Sequence, residues 1–305
     1  MASNDDVLHL FTRIRDWVRY AMSEFQKAEL FYGHGSDNAL DEAVYLILHA
    51  LNLPLDLPSH LFESVLTLQE RKRIHQIILK RIKTRLPSAY LTQESFFMGL
   101  PFFVDQRVLI PRSPIAELIE KQFYPWMEDS QNVKNILDLC TGSGCIAVAS
   151  AYSFPDAKII GSDISKDALE VAKINIDKHQ KSSQIKLIHS DLFDAIPTQK
   201  FDVILSNPPY VNKEDMESLP KEYHHEPQLA LKAGKNGLDV IHRLLSQAIN
   251  YLSENGILIV EVGNSANALI QAYPDIEFTW PAFEHGDSEV FILTWNDVKK
   301  ISSAP

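Results

Sequence analysis

An apolar run, Phe201–Ser206, is followed by four residues that combine hydrogen-bond acceptors with an aromatic ring: Asn207, Pro208, Pro209 and Tyr210. Proline has no backbone N–H, so this loop has few donors, and a residue that precedes proline adopts an extended conformation. A planar NH2 group needs such acceptors, and an aromatic ring can lie beside its plane. We therefore predict modification of an amide or amine nitrogen, with catalytic roles for Asn207, Pro208 and Tyr210 and substrate contacts from all four residues. A simple cap of the strand is the alternative role for Asn207.

A second cluster is glycine-rich and follows another apolar run, Ile136–Leu139. It consists of Cys140, Thr141, Gly142, Ser143 and Gly144, with Asp138 just before it. Glycines let a chain turn sharply and approach a ligand closely. Asp163 lies 21 residues beyond Gly142, where an acidic residue can accept hydrogen bonds from both hydroxyls of a ribose. A turn without a ligand, and a helix cap at Asp163, are the alternative roles.

The spacing of the glycines narrows the class of ligand. The dinucleotide pattern G-x-G-x-x-G is not met, because Ala147 stands three residues after Gly144. The turn fits an adenosine ligand without pyrophosphate, such as S-adenosylmethionine. Asp191 and Leu192 follow a third apolar run and are expected to border the adenine, although Asp191 could instead cap a turn. Because ligands of open α/β sheets bind beyond the carboxyl ends of strands, we predict one cofactor site formed by Asp138, Cys140, Thr141, Gly142, Ser143, Gly144, Asp163, Asp191, Leu192 and Asn207.

Composition limits the classes of protein to consider. The chain has 305 residues, of which 45% are hydrophobic and 23% charged, as in ordinary globular proteins. No apolar run approaches the roughly 20 residues that span a bilayer, and the first residues do not resemble a signal peptide, so we expect a cytoplasmic protein with no membrane partner. Neither a second cysteine pair nor a histidine cluster accompanies Cys140 and Cys145, so no metal site is predicted. A net charge of -11 disfavours non-specific nucleic-acid binding and permits a basic partner.

Hydrophobic spacing predicts two domains and a connector. Residues 1–91 are predicted to form a helical domain that recognises the substrate, and residues 92–112 a β-hairpin connector with its turn at Asp105-Gln106. The predicted helices of the first domain run from Val7 to Phe25, from a Ser36-Asp37 cap to Leu51, and from Thr67 to Leu86.

Residues 113–305 alternate strand and helix patterns, which predicts an α/β domain with a mostly parallel sheet covered on both faces. The last two of seven predicted strands have no helix between them, so the final strand is expected to be antiparallel. The predicted strands are Val133–Leu139, Lys158–Ser162, Ile185–His189, Phe201–Ser206, Gly256–Glu261, Phe278–Trp280 and Glu289–Thr294. The predicted helices are Cys145–Tyr152, Lys166–His179, Gly237–Leu252 and Ala266–Tyr273.

The third predicted helix inverts the overall charge of the chain. Against a single Glu70 it carries Arg71, Lys72, Arg73, Lys80, Arg81, Lys83 and Arg85. Such a helix can contact RNA or an acidic surface, and a solvated helix face is the simpler alternative.

The motifs together resemble those of S-adenosylmethionine-dependent methyltransferases of the protein-glutamine N(5) type, over nearly the whole chain. The resemblance is carried by the helical first domain and by Val108–Arg112, Asp138–Gly144, Asn207–Tyr210, Glu226–Leu231 and Gly237-Leu238-Asp239. It implies a class I, Rossmann-like fold, S-adenosylmethionine as cofactor and methylation of a side-chain amide. The Asn-Pro-Pro-Tyr loop alone also occurs in enzymes that methylate amino groups of nucleic acids.

The family has two familiar branches, which act on peptide-chain release factors and on a large-subunit ribosomal protein, the third in the standard naming. The release-factor branch usually has Pro-Glu-Thr-Glu after its Pro-Arg, whereas Pro111-Arg112 is followed here by Ser113–Glu117. That departure favours the ribosomal-protein branch. Two further segments resemble the same branch, Cys140–Cys145 and Gly263-Asn264-Ser265. Ribosomal RNA contact through the basic helix is a further expectation. Release-factor methylation, nucleic-acid methylation and a non-catalytic assembly factor are the alternatives.

Overall fold

The computed structural model describes residues 4–284 and 289–303. Residues 1–3 and 304–305, at the ends of the two predicted domains, lie outside the described residues, as do 285–288. Among the described residues, no helix has the length and hydropathy that crossing a bilayer demands.

The chain divides into two compact units. The first comprises Met1–Glu94 together with Pro220–His225, and the second comprises Ser95–Leu219 together with Glu226–Pro305. The hydrophobic pattern gives no sign that 220–225 belongs with the helical residues, because that segment is short and rich in charged and polar side chains.

Helices that share one hydrophobic core form the first unit. Its centre is fully buried and includes Trp17, Phe25, Ile47 and Ile74. Within the described residues, the α-helices are α1 (Asn4–Leu10), α2 (Ile14–Lys27), α3 (Ala39–Leu51), α4 (Leu68–Thr84) and α5 (Ser88–Thr92).

The predicted helix from Val7 to Phe25 is interrupted, so the prediction of one continuous helix was wrong. A carboxylate oxygen of Asp16 accepts hydrogen bonds from the backbone N–H groups of Thr12 (3.2 Å) and Arg13 (2.9 Å). These bonds satisfy donors that a helix N-terminus leaves free, so a new helix begins at Ile14. The hydrophobic spacing continues across the break because α1 and α2 contribute to the same core.

Side-chain caps determine where α3 and α4 begin. The Asn38 side chain accepts hydrogen bonds from two backbone N–H groups of the first turn of α3, so the cap is Asn38 and not the predicted Ser36-Asp37. The Thr67 side chain caps α4 at the predicted start of that helix. Helix α4 ends at Thr84, before the predicted Leu86, because Arg85 adopts a left-handed conformation.

Buried ion pairs hold Pro220–His225 within the first unit. Arg81 is 1% exposed and donates from Nε to Glu42 Oε1 at 2.6 Å. Glu222 is fully buried, and its Oε1 lies 2.8 Å from a guanidinium nitrogen of Arg85. Two arginines of the basic helix are therefore neutralised by the protein itself.

The connector contains a β-hairpin, but it is not the predicted one, because both of its strands precede Asp105. Strands β1 (Glu94–Phe97) and β2 (Leu100–Phe103) are joined by Met98-Gly99, where both residues have positive φ angles of 51° and 71°. Two consecutive left-handed residues give the tight turn that suits a two-residue hairpin. The predicted turn at Asp105-Gln106 was wrong, and Arg107–Arg112 forms no strand.

Strands and helices alternate in the second unit, which has the α/β architecture predicted from the sequence. The elements are α6 (Ile115–Glu120), β3 (Asn135–Leu139), α7 (Cys145–Ser153), β4 (Lys158–Asp163), α8 (Lys166–Lys178), β5 (Ile185–His189), β6 (Phe201–Ser206), α9 (Lys213–Ser218), α10 (Asp239–Ala248), β7 (Leu252–Glu261), α11 (Ala266–Ala272), β8 (Val290–Thr294) and α12 (Trp295–Ser303).

Within the described residues the main sheet has six strands, in the order β5-β4-β3-β6-β7-β8. The strands are parallel except β8, which pairs antiparallel to β7 as predicted for the last strand. The predicted strand Phe278–Trp280 forms a single antiparallel bridge, Thr279 to Ile292, so the count of seven strands is corrected. Pro281 follows directly and offers no N–H to extend the pairing.

Alternate residues of the strands enter two different hydrophobic clusters. In β3, Ile136 packs on one face of the sheet and Leu137 on the other; in β7, Ile257 and Leu258 do the same. Helices α6 and α7 contribute to the first cluster, and α10 and α12 to the second. The sheet is therefore a central layer between two layers of helices, with the strand ends open for a site.

Candidate active site

A cavity, called here the central cavity, opens at the carboxyl ends of β3, β4, β5 and β6. The chain order of the strands reverses at β3, since β4 and β5 extend the sheet on one side and β6 and β7 on the other. Open α/β sheets bind ligands at such points. Of the residues predicted from the sequence, the structure brings the following to the cavity wall: Cys140, Thr141, Gly142, Ser143, Asp163, Asp191, Leu192, Asn207 and Pro209.

The glycine turn, Cys140–Gly144, is fastened to Asp163. The backbone N–H of Gly142 donates to Asp163 Oδ2 at 2.9 Å, and the backbone N–H of Ser165 donates to Oδ1 at 2.8 Å. Burial is the main cause that raises the pKa of the Asp163 carboxyl above its ordinary value, and these backbone donors oppose it. Asp163 thus both shapes the turn and presents a carboxyl group to the cavity.

Three residues of the glycine turn, Cys140, Gly142 and Gly144, have left-handed backbone conformations. Gly142 has a φ of 54°, and a side chain there would have no heavy atom closer than 4.0 Å, so its position faces open space. Cys140 has a φ of 59°, which is uncommon for a residue with a side chain. Gly144 lies outside the cavity lining; a Cβ there would come within 3.2 Å of Ala172 Cβ, so this glycine permits close packing of α7 on α8.

Asp138 lies beneath the turn and is completely buried. Thr141 Oγ1 donates to Asp138 Oδ2 at 2.5 Å, whereas Oδ1 has no hydrogen-bond partner among the described residues. Burial raises the pKa of Asp138 to about 7, against the lowering effect of the Thr141 hydrogen bond. The backbone N–H of Ala147 also acts to lower the pKa of this carboxyl. Asp138 thus supports the cavity from below without lining it.

The remaining predicted cofactor residues lie after β5. Asp191 lines the cavity and forms an ion pair with Arg243, with 2.9 Å between the guanidinium nitrogen and Oδ2. Leu192 is buried, has a φ of 48° and presents an apolar surface to the cavity. The adenine contacts predicted for these two residues stay predictions, with Leu192 better placed for packing because the Asp191 carboxylate is engaged by Arg243.

Asn207 has the geometry of a residue that is free to bind a ligand. It is half-buried, lines the central cavity, and its side chain forms no hydrogen bond with the described residues. By contrast, Asn212 caps α9, with its Oδ1 accepting from the backbone N–H of Asp215 at 2.8 Å. The Pro208 carbonyl likewise accepts no hydrogen bond within the described part of the chain. Asn207 therefore performs no strand-capping role here.

Tyr210 lies outside the lining of the central cavity, as does the buried Pro208. The Tyr210 hydroxyl donates to Glu261 Oε1 at 2.8 Å, and the Tyr210 carbonyl accepts from Ser265 Oγ at 2.8 Å. A direct contact of the Tyr210 ring with a substrate amide thus stays a prediction.

One wall of the cavity was not predicted from residue chemistry and comes from the segments around Arg112 and Glu226. Glu226 is buried, and its two carboxylate oxygens accept from the Arg112 guanidinium at 2.6 and 2.8 Å. Glu226 Oε1 also accepts from the backbone N–H of Ile110 at 3.0 Å. Arg112 is therefore a partner in a structural ion pair. The signal in the sequence for this wall was that Val108–Arg112 and Glu226–Leu231 are both motifs of the family resemblance.

The two thiols beside the glycine turn are poor nucleophiles. Burial raises the pKa of Cys140 far above its usual range and raises that of Cys145 to about 12. Thiols of this kind stay protonated at neutral pH, and the thiolate is the reactive form. Among the described residues there is also no group of three or more metal-ligating side chains.

The chain is similar to known proteins along almost its whole length. The family described as Methyltransferase small domain matches residues 123–225. A ribosomal protein uL3 glutamine methyltransferase of Francisella tularensis is 48% identical over 299 residues, which are 98% of this chain and 95% of that protein. A protein of the same name from Neisseria meningitidis is 47% identical over 93% of each chain.

Among solved structures, the hMettl16 catalytic domain in complex with MAT2A 3'UTR hairpin 6 aligns with a TM-score of 0.49 at 16% identity, over 74% of this chain and 81% of that one. The two sequence relatives cover nearly the full chain at close to half identity. The chain belongs to the ribosomal protein uL3 glutamine methyltransferase family.

Proposed function

We propose that the protein transfers a methyl group from S-adenosylmethionine to the side-chain amide nitrogen of a glutamine in ribosomal protein uL3. The observation that carries this proposal is Asn207, a polar side chain that faces the central cavity without a partner among the described residues, a short distance along the sheet edge from the glycine turn. The substrate is the one named for the two relatives. We place the reaction in the cytoplasm.

Several groups in and beneath the cavity wall support S-adenosylmethionine as the cofactor. The cofactor carries a positively charged sulfonium and an ammonium group, and carboxyl groups of Asp138, Asp163 and Asp191 lie in or beneath the wall. The unpartnered Oδ1 of Asp138 can accept a hydrogen bond that no described protein group supplies. The open position at Gly142 lets a ligand approach the backbone closely. Asp163 would accept from the ribose hydroxyls, and Leu192 would pack on the adenine.

The acceptor loop, Asn207–Tyr210, would hold the substrate nitrogen. When bound, the cofactor supplies an electrophilic methyl group. An amide nitrogen is a weak nucleophile because its lone pair is delocalised into the carbonyl. Asn207 Oδ1 and the Pro208 carbonyl would each accept one N–H of the NH2 group, which fixes the nitrogen in line with the methyl group and favours the positive charge that develops on nitrogen. The surplus proton passes to water.

Methyl transfer to defined substrates tests the proposal directly. The enzyme, S-adenosylmethionine with a labelled methyl group and purified uL3 should give one labelled glutamine, which peptide mass spectrometry locates. Replacement of that glutamine by glutamate should abolish labelling. A release factor and deproteinised ribosomal RNA serve as competing substrates, and preferential labelling of either would contradict the proposed substrate.

A contact with ribosomal RNA is the second part of the proposal, and it rests on what remains exposed on α4. Arg81 and Arg85 form ion pairs with buried carboxylates, and Arg71 donates a hydrogen bond to the Leu8 carbonyl at 2.7 Å. The basic face is defined by the cations that remain exposed and form no hydrogen bond or ion pair with the described residues: Lys72, Arg73, Lys80 and Lys83. At 3.6 residues per turn, these four lie within about a third of the helix circumference.

The positive charge of this face indicates which kind of partner it can bind. The chain as a whole has a net charge of -11, so a cluster of four unpaired cations is a local inversion. Polyanionic RNA matches such a face through counterion release, whereas a basic protein would be repelled by it. We therefore infer that the basic face binds the phosphate backbone of ribosomal RNA when the substrate protein is presented with it.

Charge reversal on the basic face should weaken RNA binding without affecting chemistry. The double variant Lys72→Glu/Lys80→Glu is expected to bind a fluorescent single-stranded fragment of large-subunit ribosomal RNA about tenfold more weakly, with a salt slope smaller by about 1.4, because each lost phosphate contact on a single strand removes about 0.7. Fluorescence anisotropy between about 50 and 200 mM salt measures both quantities.

The matched control is Lys299→Glu/Lys300→Glu, which makes the same charge change on exposed residues of α12. It should keep the RNA affinity and the salt slope. Methylation of free uL3 should be unchanged in the α4 variant. Equal RNA affinity of the two variants would refute the RNA contact, and a loss of methylation of free uL3 would instead assign the basic face to an acidic protein segment.

A further inference from the structure

Glu261 joins two walls of the central cavity from behind. It is the last residue of β7 and is 2% exposed. Its Oε1 accepts from the Tyr210 hydroxyl at 2.8 Å, and its Oε2 accepts from the Ser113 hydroxyl at 2.5 Å. Ser113 lines the cavity, and Tyr210 ends the acceptor loop whose Asn207 and Pro209 line it too. One carboxylate therefore accepts hydrogen bonds from the wall around Arg112 and from the acceptor loop at the same time.

The pairing of the strands explains why Glu261 reaches the acceptor loop. Strands β6 and β7 are in register up to Ser206 and Val260, so Asn207 and Glu261 leave the sheet side by side. A side chain at the end of β7 is thereby directed to the loop that follows β6. The position is set by the sheet, and sites built on strands are more precise than sites built on loops.

Beyond the hydroxyl bond to Glu261, Tyr210 has close neighbours at its ring and at its carbonyl. A Cβ at Gly263 would lie 2.5 Å from the Tyr210 ring. A Cβ at Gly237 would lie 2.2 Å from the Tyr210 carbonyl and 2.0 Å from Ser265 Oγ, which itself donates to that carbonyl. Ring, carbonyl and hydroxyl are thus fixed separately. A residue restrained in this way serves to position its own loop.

We propose that Glu261 is a positioning residue for methyl transfer: through Tyr210 it sets the orientation of Asn207 and the Pro208 carbonyl, and through Ser113 it sets their distance from the opposite wall. This inference rests on the proposed function, because it assigns the acceptor role to the same loop. Tyr210 acts on the substrate through the position of the loop, in addition to any contact of its ring. Hydrogen bonds to a charged group are stronger than neutral ones and hold geometry more tightly.

A double-mutant cycle tests the route from Glu261 to the acceptor loop. Glu261→Ala and Tyr210→Phe are each expected to lower kcat by about tenfold or more, because each removes a hydrogen bond to a charged group. The double variant should be no slower than the slower single variant, since both changes break the same link. The Kd of S-adenosylmethionine should stay within about threefold in all of them, because a hydrogen bond lost behind the acceptor loop leaves the glycine turn intact.

Two conservative variants separate positioning from simple stabilisation. Glu261→Gln should restore most of kcat, because its amide oxygen can accept from Tyr210 while its NH2 group donates to the Ser113 oxygen. Tyr251→Phe removes a hydroxyl that donates to the Phe193 carbonyl at 3.3 Å and lies outside the cavity lining, so it should leave kcat unchanged. Thermal unfolding of every variant is recorded alongside.

The outcomes decide the inference in either direction. Wild-type kcat in Glu261→Ala, or losses that multiply in the double variant, would overturn it. If Glu261→Ala does not fold, Tyr210→Phe and Ser113→Ala, which each remove one hydrogen bond to Glu261, decide in its place: reduced kcat in both supports the inference, and wild-type kcat in both overturns it. A wild-type enzyme that methylates no glutamine would instead refute the proposed function.

Discussion

Replacement of Asn207 by alanine is expected to lower kcat for methyl transfer by about 10³-fold, the loss seen when one preorganised hydrogen-bonding group is removed from an active site. Asn207 faces the central cavity, and its side chain has no partner among the described residues. Its amide oxygen is therefore available to a substrate NH2 group at no cost in protein contacts. The substrate nitrogen would lose both its orientation and the nearest acceptor for its N–H.

The affinity for S-adenosylmethionine should change by less than about threefold in Asn207→Ala. The substitution leaves the glycine turn and the hydrogen bonds that Asp163 accepts there unchanged. The two quantities are separated by single-turnover kinetics and isothermal titration calorimetry. The matched control is Asn212→Ala, which removes an asparagine that caps α9 through the Asp215 N–H. This variant should lose stability and keep kcat. Turnover near wild type in Asn207→Ala would remove the acceptor role.

Strand-end residues were the part of the site that the sequence predicted best. Local apolar runs mark parallel strands, and the carboxyl ends of parallel strands share one edge, so Thr141, Asp163 and Asn207 had to converge once the α/β class was recognised. The structure places all three in the wall of one cavity. Only the parallel direction of the strands was needed, and no particular side-chain contact had to be known.

Residues whose role depends on a distant partner were not predicted. Glu261 and Glu226 each serve the cavity through a partner more than one hundred positions away in the chain, Ser113 for Glu261 and Arg112 for Glu226. In the sequence Glu261 is only the last polar residue of an apolar strand. Nothing local distinguishes a carboxylate that will accept from Ser113 and Tyr210 from one that caps a strand in solvent. Tertiary register alone creates that role.

The predicted ends of helices and turns were wrong where a local hydrogen bond or backbone conformation ended an element that the hydrophobic pattern would have continued. The helical spacing from Val7 to Phe25 is continuous, yet the Asp16 carboxylate restarts the helix at Ile14. The hairpin turn lies at Met98-Gly99, where Met98 has a left-handed conformation. Methionine disfavours that conformation, so its residue type did not indicate a turn. Residue propensities describe averages, and the energy of one cap or turn, about 1 kcal/mol, suffices to shift an element end.

Asp163→Ala is expected to raise the Kd of S-adenosylmethionine by about 10²-fold or more, since two hydrogen bonds from ribose hydroxyls to a carboxylate are lost at about 1.5 to 3 kcal/mol each. The release of the Gly142 N–H, now held at 2.9 Å, would add to this loss by loosening the glycine turn. At saturating cofactor, kcat should fall far less. Because burial raises the pKa of Asp163 and the ionised carboxylate is the better acceptor, the wild-type affinity should decline as pH falls from neutral through that raised pKa, and the variant should lack this decline.

Asp202 provides the control that separates ligand binding from support of the backbone. Like Asp163 it accepts from two backbone N–H groups, those of Lys134 (2.8 Å) and Asn135 (2.9 Å), but it lies near the start of β6 and outside the cavity lining. If Asp163 only supports its turn, Asp163→Ala and Asp202→Ala should both lower the unfolding midpoint, and Asp202→Ala should keep cofactor affinity in calorimetric titration. Asp163→Ala should then lose less than about tenfold in affinity through the loosened glycine turn, which is the worth of one hydrogen bond. A ribose-binding Asp163 predicts the large loss of affinity in its own variant alone, because only there does the lost acceptor face a ligand.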